Sequence, residues 1–579
     1  MASKKGNSKE KKTPKITKKS PKTKQPPAVI RPKKNGGGTP KSPSRLYSES
    51  LIRANKGMSN HGLARLAFKN RPDLYNSHEH ARTYIRAATG TMGEVKRLKS
   101  DKTLHKEVRY TSQYLKEKDP KEYLEAQKRK LKKVKYYLIT WAQNNTPIHS
   151  EFWYNIKAYA KFLGAEVHVI LGRYKNPTSV FTDKNIESWD KEILPYSDAH
   201  RHPIHKHLTL LSDIKIQPTA SNPLTSMESI SGLNSAIFGH PKLQLDTIAA
   251  LEGYEPKLLL TTGAVTKKNY TDSKAGKKGE FHHCFGFAIV EIKDKDVFIP
   301  RQVTALSNGS FSDLIYNVKD GKVTKVKGIA YGNLGDKHIG DHCPIVEKQQ
   351  RVWLDYLKPK RTMVHDIFNG KSVNHHEDKD PFKKYQLEQS GENSVKGEIE
   401  KMMLWIESMK KYNLVIVASN HNDWLDRWVK GKDWKFDIKN AMEYMEYSKI
   451  CLSGKAPKGL IAYLIEQKFG KQVITLGRND SFRINEVELA QHGDIGANGS
   501  RGGLIQFKRL STKIDVADSH VPRRLDGVFY VGTSTKLRVG YNIGASGWRN
   551  ADVICHLDKK RQHIIYMGKD RDFTTFPLN

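Results

Sequence analysis

Apolar positions recur along the chain with two different periods, and the change of period divides it into segments. From Ser48 onward Leu51, Ile52, Leu63, Leu66 and Ala67 fall at helical spacing, and Ser77 stands where an N-cap would precede HEHARTYIRAATG. The pattern predicts short helices on either side of a polar turn, Asn70 to Asn76, with Arg82 and Arg86 on the second. Residues 100–135 form a densely charged helical connector. Beyond it, VKYYLIT predicts a strand, EFWYNIKAYAKFLG a helix stopped by glycine, and EVHVILG a second strand, together one β–α–β unit. Further strands are expected at KLLLTTGAV and FGFAIVEI, and VGYNIGASGW is expected as strand and turn closing a sheet near the end. No internal repeat is visible in the sequence. The expected organisation is α/β multidomain: a disordered tail over 1–45, a helical region over 46–135, an α/β domain over 136–325 and a second over 326–579.

Charge adds a partner to this outline. The 579 residues carry a formal charge of +39, and residues 1–45 hold fifteen Lys or Arg against Glu10 alone, which leaves +25 for the rest. A polyanion such as DNA is the natural partner, bound through phosphate contacts that weaken with salt; a merely solubilising basic surface is the plainer alternative. The Lys-, Pro- and Ser-rich tail cannot bury enough apolar surface to order itself. The helical pair reads as a helix-turn-helix with Arg82 and Arg86 on phosphates, or else as a packing or oligomerisation module. The 136–325 domain is open between DNA binding and oligomerisation. Four scattered cysteines without a CxxC pair exclude a disulfide framework and a zinc–thiolate site. Neither a long apolar run nor a signal peptide is present, so a soluble protein of the cell interior is expected, with no membrane partner.

The chemistry lies beyond residue 325, at five places where an apolar strand runs out into a loop. GIAYGNLGDKHIGD delivers Asp336 and His338, which on an extended chain share a face and can reach one cation. TMVHDIF ends at Asp366. YNLVIVASNHND is followed by Asn420, His421 and Asn422; VELAQHGD presents His492; KIDVADSHVP presents Asp518 and His520. Each has a dull explanation singly, but five ligand-bearing strand ends in one order make a set. His375 and His376 follow the second place closely and would line a cleft, or form an ordinary polar loop; Arg501, in NGSRGG, would touch a phosphate. His200, His202 and His205, and His282–His283 beside Cys284, match no ligand spacing and are expected to be loop histidines.

The series DKH, HDIFN, SNHND, QHG and ADSH resembles the motif order of the calcineurin-like metallophosphoesterase superfamily over roughly residues 326–560. It departs from that pattern at His365 and Ser419, which replace glycines; at Asn369 and Asn422, which replace acids; and at Asp518, which replaces a histidine. The resemblance implies a four-layer α/β/β/α sandwich and two divalent ions, Mn²⁺ or Mg²⁺. Asp336, His338 and His520 would hold one ion, Asn420, His492 and Asp518 the other, and Asp366 would bridge them, with His421 acting on the transition state or leaving oxygen. In its catalytic motifs the chain is similar to SbcD-type DNA nucleases. Through TTGAVT, IFGHPK, RYKNPTS, SNHND and ADSHVP it is similar to phage pre-early proteins that degrade host DNA. The implied function is manganese-dependent DNA cleavage in an infected bacterial cytoplasm, by a chain that forms a homo-oligomer. A phosphatase or nucleotide phosphodiesterase, or a DNA-binding protein with a decayed metal site, are the competing functions.

Overall fold

The computed structural model describes residues 42–55, 58–89, 128–174, 188–377, 380–540 and 542–568. Most of the basic tail and most of the charged connector lie outside these residues. The chain divides into two compact units, up to Gly90 and from Thr91 on. In the first, helices Pro43–Ala54, Asn60–Asn70 and His78–Thr89 pack Leu51, Leu63, Ala64, Ala67, Ala81 and Ile85 into a small core. Serines cap all three: Ser42 and Ser59 as N-caps, and Ser77 as expected, its Oγ accepting the His80 amide at 3.1 Å.

The second unit is built on one long sheet. Its ten strands run in the order Arg483–Ile484, Val487–Glu488, Lys513–Val516, Val528–Tyr530, Arg523–Leu525, Gln244–Ile248, Lys257–Thr261, Ser235–Phe238, Leu208–Leu211 and Arg201–His205. The segments expected to be separate domains on either side of residue 325 therefore share this sheet, joined where Arg524 pairs with Leu245 and Leu525 with Gln244. Three further sheets are present among the described residues, the smallest with strands Phe311–Asp313, Tyr316–Lys319 and Lys322–Lys325. Of the other two, one has five strands, Phe298–Thr304, Gly286–Ile292, Tyr136–Gln143, Glu166–Gly172 and Ser197–Asp198; the other has six, Ile474–Thr475, Leu414–Ile416, Thr362–Val364, Tyr331–Asn333, Ala551–Cys555 and Arg561–Ile565.

Alternation along the strands fixes the layers. In the six-stranded sheet Val364, Leu414, Ile416, Ile554 and Ile564 turn to one side, into a core with Trp353, Ile406, Leu425 and Ile465 of helices Pro344–Leu357, Val395–Met409, Asn420–Gly431 and Leu460–Phe469. Met363, Val415 and Cys555 turn to the other side and meet Val487 and Leu489 of the long sheet, as Val553 meets Phe529. On the long sheet's far side Ile514, Val516 and Val528 pack with Phe507 of helix Leu504–Arg509. The five-stranded sheet repeats the scheme. Tyr137, Ile139 and Ile170 face Leu208, Ile237 and Leu260 of the long sheet, and Leu138, Val167 and Val169 face Phe152 and Ile156 of helix Ser150–Leu163. That helix stops at Gly164, whose φ of 64° suits a residue without a Cβ, as the glycine in the sequence predicts.

A buried ion pair ties the sheets together. Arg301 grips Asp313 through two bonds of 2.7 and 2.8 Å, and Tyr159 and Gln562 donate to the same carboxylate. The segment VGYNIGASGW differs from expectation. Its described residues contribute no strand beyond an isolated bridge at Ser546, and the sheet closes instead with Ala551–Cys555 and Arg561–Ile565. Three glycines, Gly540, Gly544 and Gly547, remove the side chains that would hold such a strand in a ladder.

Candidate metal centre

Five of the sequence-predicted ligands converge at the ends of the six-stranded and long sheets. Asp336 and His338 follow Tyr331–Asn333, Asp366 follows Thr362–Val364, His492 follows Val487–Glu488, and His520 follows Lys513–Val516. Two groups have the geometry to hold a cation: His338, Asp366 and His520, and Asp336, Asp366 and His492, each with ligand atoms within 4.8 Å of one another. Asp366 belongs to both groups, the position required of a bridging carboxylate. Its Oδ2 lies 3.2 Å from His492 Nε2 and 3.5 Å from His338 Nε2, and Asp336 Oδ2 lies 3.0 Å from His520 Nε2.

Local backbone geometry departs from the extended strand end expected from sequence. His338, Asp366, Asp518 and His520 all have left-handed φ, between 42° and 64°, which costs of order 1–3 kcal/mol for each non-glycine residue. At His338 this turn takes the ring off the strand face shared with Asp336, so the two fall into different groups. Asp336 still touches both, through His520 and, at 4.0 Å, His492.

The donor set fits a hard divalent cation. Asp336 Oδ1, Asp366 Oδ1 and Asn420 Oδ1 are buried without a hydrogen-bond partner among the described residues, a costly arrangement unless another group satisfies them. Burial alone would raise the Asp366 carboxyl, but His492 and His421 hold it well below the usual carboxylate range. Burial likewise works against the His492 imidazolium, and Asp366, with help from Asp336, raises it to about 10. Asp518 stands 3.8 Å from His492 Nε2, more open to solvent than the others, and burial raises its pKa. Asn420 opens helix Asn420–Gly431 behind the N-cap Ser419.

His421 lies beside the ligands, its ring 4.3 Å from that of His338 and stacked on Trp424 at 3.8 Å. Its Nδ1 meets the Asn369 carbonyl at 2.7 Å, which assigns the proton to that nitrogen, and burial lowers its pKa. Asn369 and Asn422 are occupied elsewhere. Asn369 Nδ2 donates to Asp341, and Asn422 bridges Phe368 and Val417 through its amide.

The remaining predicted contacts lie farther out. His375 and His376 are exposed, edge-on to Trp424 at 5.5 and 5.8 Å, on the rim behind His421. Arg501 is exposed in the loop after His492, where its backbone bridges Ile495. Arg82 and Arg86 belong to the first unit, with Arg82 3.4 Å from Glu79.

Other participants were not evident in the sequence. His365 Nδ1 lies 3.3 Å from His492 Nδ1, and burial lowers the His365 pKa to about 3, so it accepts a hydrogen bond that orients the ligand ring. Asp552 accepts from the Gly335 amide, Gln350 and Trp353 just before Asp336. Arg478 clamps Asp423 to Asp494, tying the loop after His492 to helix Asn420–Gly431. No spacing rule flags such residues, because each acts through a partner distant in sequence. A third group able to hold a cation, His168, Asp198 and His202, lies in the five-stranded-sheet half; His202 and His205, expected in a loop, belong instead to strand Arg201–His205.

No helix among the described residues is long and apolar enough to cross a membrane. No protein-family model and no solved structure matches the chain. The chain is similar to Protein A1 of Escherichia phage T5, with 29% identity over 460 residues that span 75% of this chain and 82% of that protein.

Proposed function

We propose that this chain is a metal-dependent deoxyribonuclease of the calcineurin-like metallophosphoesterase type, which hydrolyses DNA phosphodiester bonds and acts during phage infection in the bacterial cytoplasm. The observation that carries the proposal is the buried Asp366 carboxylate, shared between two His/Asp groups and holding an unpartnered oxygen. Asp336, His338, Asp366, His492 and His520, with Asn420 and Asp518, would hold two divalent ions, Mn²⁺ in preference to Mg²⁺ because the donors mix imidazole with oxygen. Such a pair, when bound, lowers the pKa of a coordinated water and neutralises charge on the phosphoryl group under attack. His421, with Nδ1 held by the Asn369 carbonyl, would exchange a proton with the leaving oxygen through its other nitrogen.

The +39 charge supports a polyanionic substrate over a small phosphoester, and the likeness to a phage protein supports the setting. The test is incubation of supercoiled and linear DNA with the full chain in Mn²⁺, Mg²⁺ or chelator, beside an Asp366→Ala variant. Mn²⁺-supported degradation that chelator stops and the variant lacks is the expected result. DNA left intact while a chromogenic phosphodiester is cleaved would replace the nuclease with a phosphodiesterase. Duplex binding without any cleavage would leave only a DNA-binding protein with a decayed site.

A further inference from the structure

Although no repeat is visible in the sequence, the long sheet is a palindrome. From either end its pairings run antiparallel, parallel, parallel, antiparallel, and they meet at the antiparallel pairing of Gln244–Ile248 with Arg523–Leu525. The companion sheets agree. Each sets an antiparallel hairpin, Gly286–Thr304 or Ala551–Ile565, against a strand that is followed by parallel strands. Single contacts repeat as well. Gly263-Ala264-Val265-Thr266-Lys267 and Gly532-Thr533-Ser534-Thr535-Lys536 take matching places: Ala264 bridges Trp141 and Phe285 as Thr533 bridges Asp336 and Asn550, and Thr266 bridges Ile148 as Thr535 bridges His342.

We infer that residues 136–304 are a metal-free second copy of the fold that carries the metal centre in residues 331–565, and that this copy positions His520 from across the pseudo-twofold axis. The second half of this inference rests on the metal-centre reading above.

The matching contacts identify what stands in place of the ligands. Trp141 occupies the place of Asp336, and its indole fills the space beside Gly172 and Gly239, where an added Cβ would come within 2.0 and 2.6 Å of it. The neighbouring strand continues unbroken through Leu171 to Gly172, whereas Thr362–Val364 stops short of Asp366. Gly239–His240 follow Ser235–Phe238 as Ala517–Asp518 follow Lys513–Val516. Both His240 nitrogens are engaged, Nδ1 by the Lys242 amide at 3.0 Å and Nε2 at the Gln217 carbonyl, 3.1 Å away. The His168–Asp198–His202 group, drawn from the middle of Glu166–Gly172, the end of Ser197–Asp198 and the start of Arg201–His205, already has protein partners for its side chains. Arg129 sits 3.3 Å and Ser212 2.9 Å from the two His168 nitrogens, and His202 Nε2 rests on both Asp198 oxygens.

The copy reaches the metal centre through the turn between Gln244–Ile248 and Lys257–Thr261. Ala250 and Ser546 exchange both backbone hydrogen bonds, at 3.0 and 2.9 Å, and Glu255 holds Arg549 at 3.2 Å. The Arg549 amide then donates to the His520 carbonyl at 3.1 Å, while Trp548 stands edge-on to the His520 ring at 4.1 Å. Contact runs the other way too: Asp526, in the turn corresponding by symmetry, holds Lys242 at 2.5 Å and His282 at 2.9 Å.

The test uses the full chain with Mn²⁺ alone. Ala250→Pro removes the amide that donates to the Ser546 carbonyl, and Ala250→Gly is the control that keeps it. We expect the proline variant to bind Mn²⁺ about tenfold more weakly, the usual scale for loss of support behind a ligand. Hydrogen exchange over residues 542–550 should rise by a similar factor, with the unfolding temperature and the glycine variant unchanged. An Asp366→Ala/His492→Ala double variant should hold no Mn²⁺. Ions retained by that variant would overturn the metal-free copy, and unchanged exchange and affinity in Ala250→Pro would overturn the positioning role. A native chain that bound no Mn²⁺ would sink the proposed function, while the exchange measurement would still decide whether the copy holds the His520 loop.

Discussion

Four non-glycine residues in left-handed backbone conformations within one site store several kcal/mol of strain, which the surrounding packing must hold in place. That strain brings side chains from separate strand ends to within hydrogen-bonding range, and His365 keeps one of them oriented. His365→Leu removes the acceptor behind His492 and should weaken Mn²⁺ binding by about 10- to 100-fold with little loss of fold, measured by titration and thermal unfolding. Protonation gives a second prediction. In the metal-free chain burial opposes the His492 charge, but Asp366 and Asp336 hold the imidazolium to about 10, so near neutrality an arriving cation must displace its proton. Mn²⁺ affinity should therefore climb from pH 6 toward pH 9, with proton release seen as a dependence of binding heat on buffer. The sign for stability is opposite. Because the folded pKa lies above the ordinary value of 6.5, this proton's stabilisation of the metal-free chain is complete below 6.5 and is lost as pH rises through about 10.

At the scale of elements, each ligand rides on the end of a short strand whose alternate residues are locked into two cores, so the strands cannot slip without exposing one of them. The helix that carries Asn420 and His421 depends on its first turn, where Ser419 Oγ accepts the Asn422 amide at 3.3 Å. Ser419→Ala should cost about 1 kcal/mol of stability and lower turnover more than substrate affinity, since the loosened turn carries His421; denaturation and steady-state kinetics would separate the two. Trp353, fully buried beneath Gly332 and bonded to Asp552, makes a second probe. Trp353→Ala should cost about 3–5 kcal/mol, measured by denaturation.

For the whole molecule, the palindromic long sheet makes one compact unit of segments that hydrophobic patterning alone assigns to two domains. The first unit has its own core and its own arginines. A chain beginning at residue 128 should keep its Mn²⁺ stoichiometry yet bind DNA more weakly, with a shallower dependence on salt because fewer counterions are released. An unchanged salt slope would remove the basic N-terminal region from the DNA-binding surface.

Periodicity made the elements legible: the helix stopped at Gly164, the strands at 136–143, 166–172, 257–261 and 286–292, and the Ser77 cap all lie where local chemistry set them. Residue type and order likewise singled out Asp336, His338, Asp366, His492 and His520, because carboxylates and imidazoles at successive strand ends are a local property of the chain. Which ligand shares a group with which was decided only in three dimensions, since a left-handed turn at His338 leaves no mark in hydrophobic spacing. The internal duplication was hidden for a similar reason. Strand order and pairing sense depend on contacts between residues far apart in the chain, and these persist although matching places hold different side chains, Asp336 and Trp141 among them.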